Sequence, residues 1–325
     1  MRISRRRFVQ LATGAAALPV PSRLAWAQTY PARPVRIIAP NAPAGPVDLV
    51  ARLTGQWLSQ RLGQPFIVEN RPGAGGTIGV EGGLRSAPDG HTLLVASVND
   101  AANATLYDKL NYNFIRDITP VVGIMRTPTV MVVNPLVPAA SVPEFIAYAK
   151  TNPGKINMAS AGIGTGTHLA GELFKSMAGV NMTHVPYRGG ASAITDLISG
   201  QVQVIFVVPS LMGEHVRTGK LRALAVTTTA RWQGLPDLPT VGDFVRGYEA
   251  SAWFGLVAPK NTPAEIVGRL NREINTALLE PEIKARVADA GGIVLGGSPA
   301  DFGKLIADET EKWGNVIRTA NIKPE

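Results

Sequence analysis

The sequence predicts an α/β protein of two doubly wound lobes joined by a two-strand hinge. Three observations lead there. Short apolar runs alternate with amphipathic helical patterns from Val35 onward, the alternation occurs in two series, and β-rich segments lie between them and after the second. With 325 residues, 45% of them hydrophobic, the chain is long enough for two domains with real cores, which excludes wholesale disorder.

The first series opens with a buried strand at 35–39 and a helix at 49–62, whose apolar residues stand at 49, 50, 53, 57, 58 and 62. A strand at 66–69, a Gly-rich turn, a short helix near 78–85 and a strand at 93–96 complete a βαβαβ unit, the pattern of a parallel sheet. Residues 121–125 and 129–134 read as a β-rich crossing. The second series begins at Ser141-Val142-Pro143-Glu144, a capping box with Pro in the first turn that opens a helix to about Lys150. Strand 156–160, a Gly-rich loop, helix 168–177, strand 183–185, helix 191–198 and strands 202–207 and 224–227 follow. The β-rich segment 252–258 precedes three helices, two of them opened by the boxes Thr262-Pro263-Ala264-Glu265 and Ser298-Pro299-Ala300-Asp301. Those helices can pack back on the first unit. Two crossings then join the lobes, which makes a hinge with a cleft rather than a flexible linker. The expected division is a leader at 1–27, one lobe from 28–127 plus 253–325, and the other from 128–252.

Ser4-Arg5-Arg6-Arg7-Phe8-Val9-Gln10 matches the twin-arginine export pattern. A modest apolar stretch at 11–20 and the A-x-A site Ala25-Trp26-Ala27 complete a signal peptide, with cleavage near Ala27/Gln28 and a periplasmic product. Pro19 and Pro21 break the stretch, which is too short for a permanent span. The leader holds five of the 32 Lys+Arg residues and none of the 24 Asp+Glu. The remaining chain is nearly balanced in charge and shows no footprint for nucleic acid. Zero cysteine removes disulfides, thiolate nucleophiles and Cys-type metal sites together. His91, His168, His184 and His215 lack metal-ligand spacing, so no metal is expected.

Ligands of doubly wound lobes sit at the carboxyl ends of strands, where helix N-termini present free N–H groups. Four loops qualify. The first is 40–48, stiffened by three prolines, with Gly45 for close backbone approach and Asp48 as a cap for the following helix. The second, 97–103, offers Ser97, Asn99 and Asn103. The third runs Ser160-Ala161-Gly162-Ile163-Gly164-Thr165-Gly166-Thr167-His168 and makes an anion cradle. The fourth contributes Tyr187 and Arg188 before Gly189-Gly190. Bland readings stand beside these: Arg188 as a solvated charge, His168 as a cap or packing residue, Tyr187 as core, and a Gly-rich loop as a tight turn. The third loop is GxGxG rather than GxGxxG, and the strand after it ends in Pro186 with no acid for a ribose hydroxyl, so it is no dinucleotide fingerprint. No P-loop, GxSxG elbow or paired carboxylates stand in a cleft loop, so neither catalytic residue nor cofactor is expected.

Several segments together resemble one family. They include Tyr30-Pro31-x-Arg33-Pro34-Val35, Pro43-x-Gly45-x-x-Asp48-x-x-Ala51-Arg52, Val68-Glu69-Asn70-Arg71-Pro72-Gly73, Val185-Pro186-Tyr187-Arg188-Gly189, Gly219-Lys220-Leu221-Arg222-Ala223-Leu224 and Trp253-Phe254-Gly255-Leu256. The chain resembles the solute-binding receptors of tripartite tricarboxylate transporters, the Bug or TctC-like family, over nearly all of its length beyond the leader. The resemblance implies a Venus-flytrap receptor of the type II periplasmic binding class. It would hold a small carboxylate through backbone N–H groups and deliver it to membrane permease subunits; a monomer is expected. Gly45, Ser97, Ser160, Gly164, Thr165 and Thr167 become contact candidates by that resemblance. Asn41, Ala44, Asp48, Asn103, Gly162, Gly166, His168, Tyr187, Arg188 and Val207 complete the candidate set. Two departures matter: Asn41 stands where the family has an aromatic, with Ala44-Gly45 for its Gly-Gly pair, and Val207-Val208 follows Phe206 where relatives carry polar residues. These imply a reshaped pocket with an apolar wall. An exported cofactor-dependent enzyme and a ligand-sensing receptor for a membrane partner are the alternative readings.

Overall fold

The structure, a computed structural model, describes residues 30–324. The expected leader and its cleavage site lie outside the described residues. Strand β1 (Val35–Ala39) is almost wholly buried and is flanked in parallel by β2 (Phe66–Asn70) and β3 (Thr92–Ser97). Helix α1 (Pro46–Leu62) connects the first pair, beginning three residues before the predicted start because Pro46 supplies a preset φ at the first turn. Helix α2 (Thr77–Leu84) connects β2 to β3. Helix α3 (Val98–Leu106) follows directly, where the sequence suggested an open loop.

The six-stranded sheet has the order β11-β4-β10-β3-β1-β2, with β4 (Ile118–Thr127), β10 (Ala252–Pro259) and β11 (Ile293–Gly296). Strand β10 runs antiparallel between β3 and β4, so the sheet is mixed rather than purely parallel. The second sheet, β7-β6-β8-β5-β9, repeats the arrangement. Its β6 (Asn157–Ser160), β7 (Thr183–Pro186) and β8 (Val204–Val207) are parallel, whereas β5 (Val130–Val133) is antiparallel to β8 and to β9 (Arg222–Val226). In both sheets the antiparallel strands adjoin a crossing between the lobes. Helices α4 (Val142–Thr151), α5 (Gly166–Ala178), α6 (Gly190–Ser199) and α7 (Pro209–Arg217) belong to the second sheet, and α7 was not expected. Helices α8 (Ala264–Leu279), α9 (Pro281–Asp289) and α10 (Pro299–Thr319) end the chain, with α8 and α10 packing on the first sheet. The Ser298 box forms, but the Thr262 box does not. Thr262 Oγ1 donates to the Pro259 carbonyl instead, and Pro263 takes the N-cap.

Two crossings connect the sheets, one at Thr127-Pro128-Thr129 and one at residues 227–252. They are tied together: the Thr129 N–H donates to Thr227 Oγ1 (3.0 Å), the Thr227 N–H to the Thr129 carbonyl (2.9 Å) and the Ala250 N–H to the Thr227 carbonyl (3.0 Å). Each sheet has its own apolar cluster, and a third cluster runs between the lobes, joining Leu106 and Trp313 on one side to Leu169, Phe174 and Phe206 on the other. The result is a two-lobe α/β fold with a cleft above the paired crossings.

Candidate functional site

The cleft encloses about 750 Å³ and is lined from both lobes. The N-caps of five helices reach it: Gly45 of α1, Ser97 of α3, Thr165 of α5, Gly189 of α6 and Val208 of α7. The first-turn N–H groups of a helix have no partner within it, so these ends bring partial positive charge to one cavity. None of the lining residues described is an acid, a base or a histidine.

Within the first loop, Asn41, Ala44 and Gly45 line the cavity. Ala44 takes the left-handed conformation, with φ +66°, which a glycine would adopt without strain. Asp48 does not cap α1 and does not face the cavity. Its carboxylate accepts the Ala44 N–H (3.0 Å), Arg52 Nε (2.9 Å) and Asn70 Nδ2 (2.9 Å), closing the loop into a brace. The Arg52 hydrogen bond, chiefly, holds its pKa below the usual carboxylate range.

At the second position Ser97 and Asn99 line the cavity, but Asn103 points away and donates to the Gly75 carbonyl (2.9 Å). Asp100 braces Ser97 from within α3, accepting its N–H at 2.7 Å and its hydroxyl at 3.1 Å. Burial pushes the Asp100 carboxyl up to about 7.

The third loop divides into a face and a frame. Ala161, Thr165, Gly166 and Thr167 form the face. Thr167 Oγ1 accepts the Ala161 N–H (2.9 Å), and Thr165 Oγ1 donates to the Gly162 carbonyl (2.7 Å). Ser160, Gly162, Gly164 and His168 form the frame and do not line the cavity. The Gly164 N–H donates to His168 Nδ1 (3.1 Å), which leaves the ring proton on Nε2, 3.6 Å from Glu172. His168 stacks on His184 with ring centroids 3.6 Å apart, and His184 Nε2 lies 2.7 Å from Ser160 Oγ. In the fourth loop Tyr187 and Arg188 are likewise displaced from the cavity. The Tyr187 hydroxyl donates to Asp196 (2.7 Å), its pKa pushed up to about 12 by burial and by that carboxylate, and Arg188 is exposed to solvent. The backbone of Gly189, Gly190 and Ala191 lines the site in their place.

The apolar side presents Val208 and Leu211 to the cavity, with the buried side chains of Val207, Phe254 and Trp313 packed behind its wall. Val207 was expected at the face rather than behind it. Leu211 starts an unpredicted helix, Phe254 sits in a strand that reads as pure core, and nothing in the sequence marks Trp313 on the last helix as a cleft residue. Thr129 and residues 250–252 of the crossings complete the floor. Among the described residues no group of three or more His, Cys, Asp or Glu could hold a metal ion.

Comparison with known proteins agrees with this architecture. The profile of the tripartite tricarboxylate transporter family receptors matches residues 50–322. Protein BugT of Bordetella pertussis is 37% identical over 319 residues, covering 96% of this chain and 95% of its own length. The structure of R. palustris Rpa4515 with adipate superposes with a TM-score of 0.79 at 34% identity, covering 91% of this chain and all of the other. MatC of Rhodopseudomonas palustris with bound malate gives 0.75 at 32% identity, covering 89% of this chain and all of the other. The exported-enzyme reading falls here, because the family matched is one of transporter receptors. The chain therefore belongs to the tripartite tricarboxylate transporter receptor family of solute-binding proteins.

Proposed function

We propose that the protein captures a small carboxylate in the interlobe cleft, outside the cytoplasmic membrane, and delivers it to a tripartite tricarboxylate-type permease. One observation supports this above the others: helix N-termini from both lobes converge on a cavity with no charged side chain in its walls. Each such end favours an anion by about 0.3–1 kcal/mol, and more in partly buried geometry. Amides of Val47, Gly166, Thr167 and Gly190 and the hydroxyl of Thr167 are the donors assigned to the carboxylate. The adipate and malate complexes of its relatives fit that chemistry. Closure of the lobes would exclude water and strengthen each of these hydrogen bonds. The twin-arginine leader supports the periplasmic assignment, and no described helix is long and apolar enough to cross a membrane.

The test is calorimetric titration of the purified protein with mono-, di- and tricarboxylates, each beside its methyl ester. At least one acid is expected to give saturable heat that its ester does not. Silence from every acid, or equal heat from acid and ester, refutes the assignment.

A further inference from the structure

The five helix N-termini at the cleft differ in what stands within their first turns. Those of α5, α6 and α7 carry no acid there. That of α1 carries Asp48, whose charge is answered by Arg52 at 2.9 Å. That of α3 carries Asp100, which is 2% exposed and makes no ion pair among the described residues. Its hydrogen-bond donors, the N–H (2.7 Å) and the hydroxyl (3.1 Å) of Ser97, are neutral and belong to a residue of the cavity wall. Charged groups on the elements packed against α3 have other partners. Glu81 of α2 pairs with Arg85 (2.7 Å), Lys312 of α10 pairs with Glu249 and Glu309, and Arg318 donates to Asn315 (2.7 Å). Strands β3 and β10 and the turn at 74–76 bring no charge. The phenol of Tyr112 completes the surroundings, and burial, with the charges of Asp100 and Glu81, holds it well above the ordinary phenol range.

A helix N-terminus favours an anion through its partial positive charge, and an ionised acid in the first turn already occupies that charge. Two like charges at one desolvated end also disfavour each other. We infer, on the strength of the carboxylate reading above, that Asp100 is a positioning residue that couples ligand capture to uptake of a proton from solvent. Ionised, it cancels the anion-favouring end of α3; protonated, it leaves that end to the ligand. Burial sets the range in which this happens, since it pushes the carboxyl up to about 7 before any ligand arrives. A bound anion raises it further. By linkage, affinity is highest below about pH 7 and falls as the pH climbs past it.

Calorimetric titration at pH 6.5 and pH 8.5 with adipate, malate and hexanoate tests it, because ordinary carboxyls are ionised throughout that range. For an acid that binds, a rise of about one unit at Asp100 predicts affinity about sixfold weaker at pH 8.5. It also predicts uptake of about half a proton per ligand near pH 7.5, read from the difference in heat between buffers of unlike ionisation enthalpy. Asp100→Asn keeps an acceptor for the Ser97 N–H and cannot ionise. It should bind at pH 8.5 within about twofold of wild type at pH 6.5 and take up no proton. A merely structural role would weaken the variant equally at both pH values and leave the slope in place. Wild-type binding without proton uptake, or a variant that keeps the wild-type slope, overturns the coupling while the carboxylate receptor stands. The wild-type measurement decides even where the variant fails to fold. If neither these three acids nor the wider panel gives saturable heat, the carboxylate reading fails and the coupling with it.

Discussion

His184 is held between a stacked imidazole and a serine hydroxyl, and both contacts suit the neutral ring. Burial first, and the neighbouring His168 second, push its pKa down to about 4, from about 6.5 for a free histidine. Glu172 opposes the shift and Lys175 adds to it. Between pH 6.5 and 4 the unfolded chain binds a proton that the folded chain refuses. Stability from this group is therefore complete above about 6.5 and falls as the pH drops towards 4. The raised carboxyl of Asp100 has the opposite slope, since the folded chain retains a proton there up to about pH 7 that the unfolded chain has released. A His184→Gln variant keeps an acceptor for Ser160, loses the titration and leaves Asp100 in place. Urea unfolding at pH 7 and pH 4.5 should show wild type losing about 2 kcal/mol relative to the variant, a figure already reduced for partial exposure. An unchanged gap would mean that His184 does not titrate in that window.

The turn before α5 joins this histidine frame to the cleft, and its glycines are positional. Gly164 has φ +72°, and a Cβ built there would collide with the Cδ2 of Leu106 at the end of α3, in the other lobe. Gly164→Ala should cost about 1–2 kcal/mol from the left-handed backbone alone and also hold the lobes apart, weakening carboxylate binding in calorimetry. Adding Leu106→Ala should restore affinity but not the backbone cost. If affinity stays low in the double variant, the loop itself is deformed. Such interlobe contacts mark where sequence reasoning stops. Strands β1 and β6 are legible as short runs buried on both faces, and helices α1 and α5 because burial on one face enforces a period. Helix α3 is not, because Asn99-Asp100-Ala101-Ala102-Asn103-Ala104 has no large apolar stripe, although Ser97 and Asp100 carry a capping-box spacing that could have shown it. The glycine–threonine face of the site is legible from composition. Its frame is not: whether Ser160 faces the cavity or His184 depends on how β7 pairs with β6, a long-range register. Trp313 packs behind the wall of the cleft only because α10 returns across the first sheet.

That return also locks the crossings to the last helix. Glu249, just before the chain re-enters the first sheet, pairs with Lys312 at 2.7 Å and lies 3.7 Å from Arg126. Lys312 also pairs with Glu309, whose carboxylate accepts the indole N–H groups of Trp253 (3.2 Å) and Trp313 (2.7 Å). Two carboxylates and two cations balance beside the crossings, and the same Glu309 anchors the buried rings of both Trp253 and Trp313. Burial raises the pKa of Glu249, but Lys312, with Ser251 and Arg126, overcomes it and holds the carboxyl below its ordinary range. Lys312→Met keeps most of the aliphatic stem and removes the charge. It leaves Glu309 without a cation and Glu249 with only the more distant Arg126. Losing one partner of a fully buried pair costs about 3–5 kcal/mol, and the partial exposure of Lys312 lowers the expected loss to about 2–3 kcal/mol in urea unfolding. Ligand affinity should fall as well, because Trp313 loses its fixed acceptor geometry and the crossings lose their tie to α10. Glu309→Gln added to Lys312→Met restores charge balance and retains an acceptor for an indole N–H. The double variant should therefore be more stable than Lys312→Met alone, a non-additivity expected of residues in one network. Strict additivity of the two substitutions would show that Lys312 stabilises the molecule by packing, with the crossings and the last helix held together by apolar contact instead of charge.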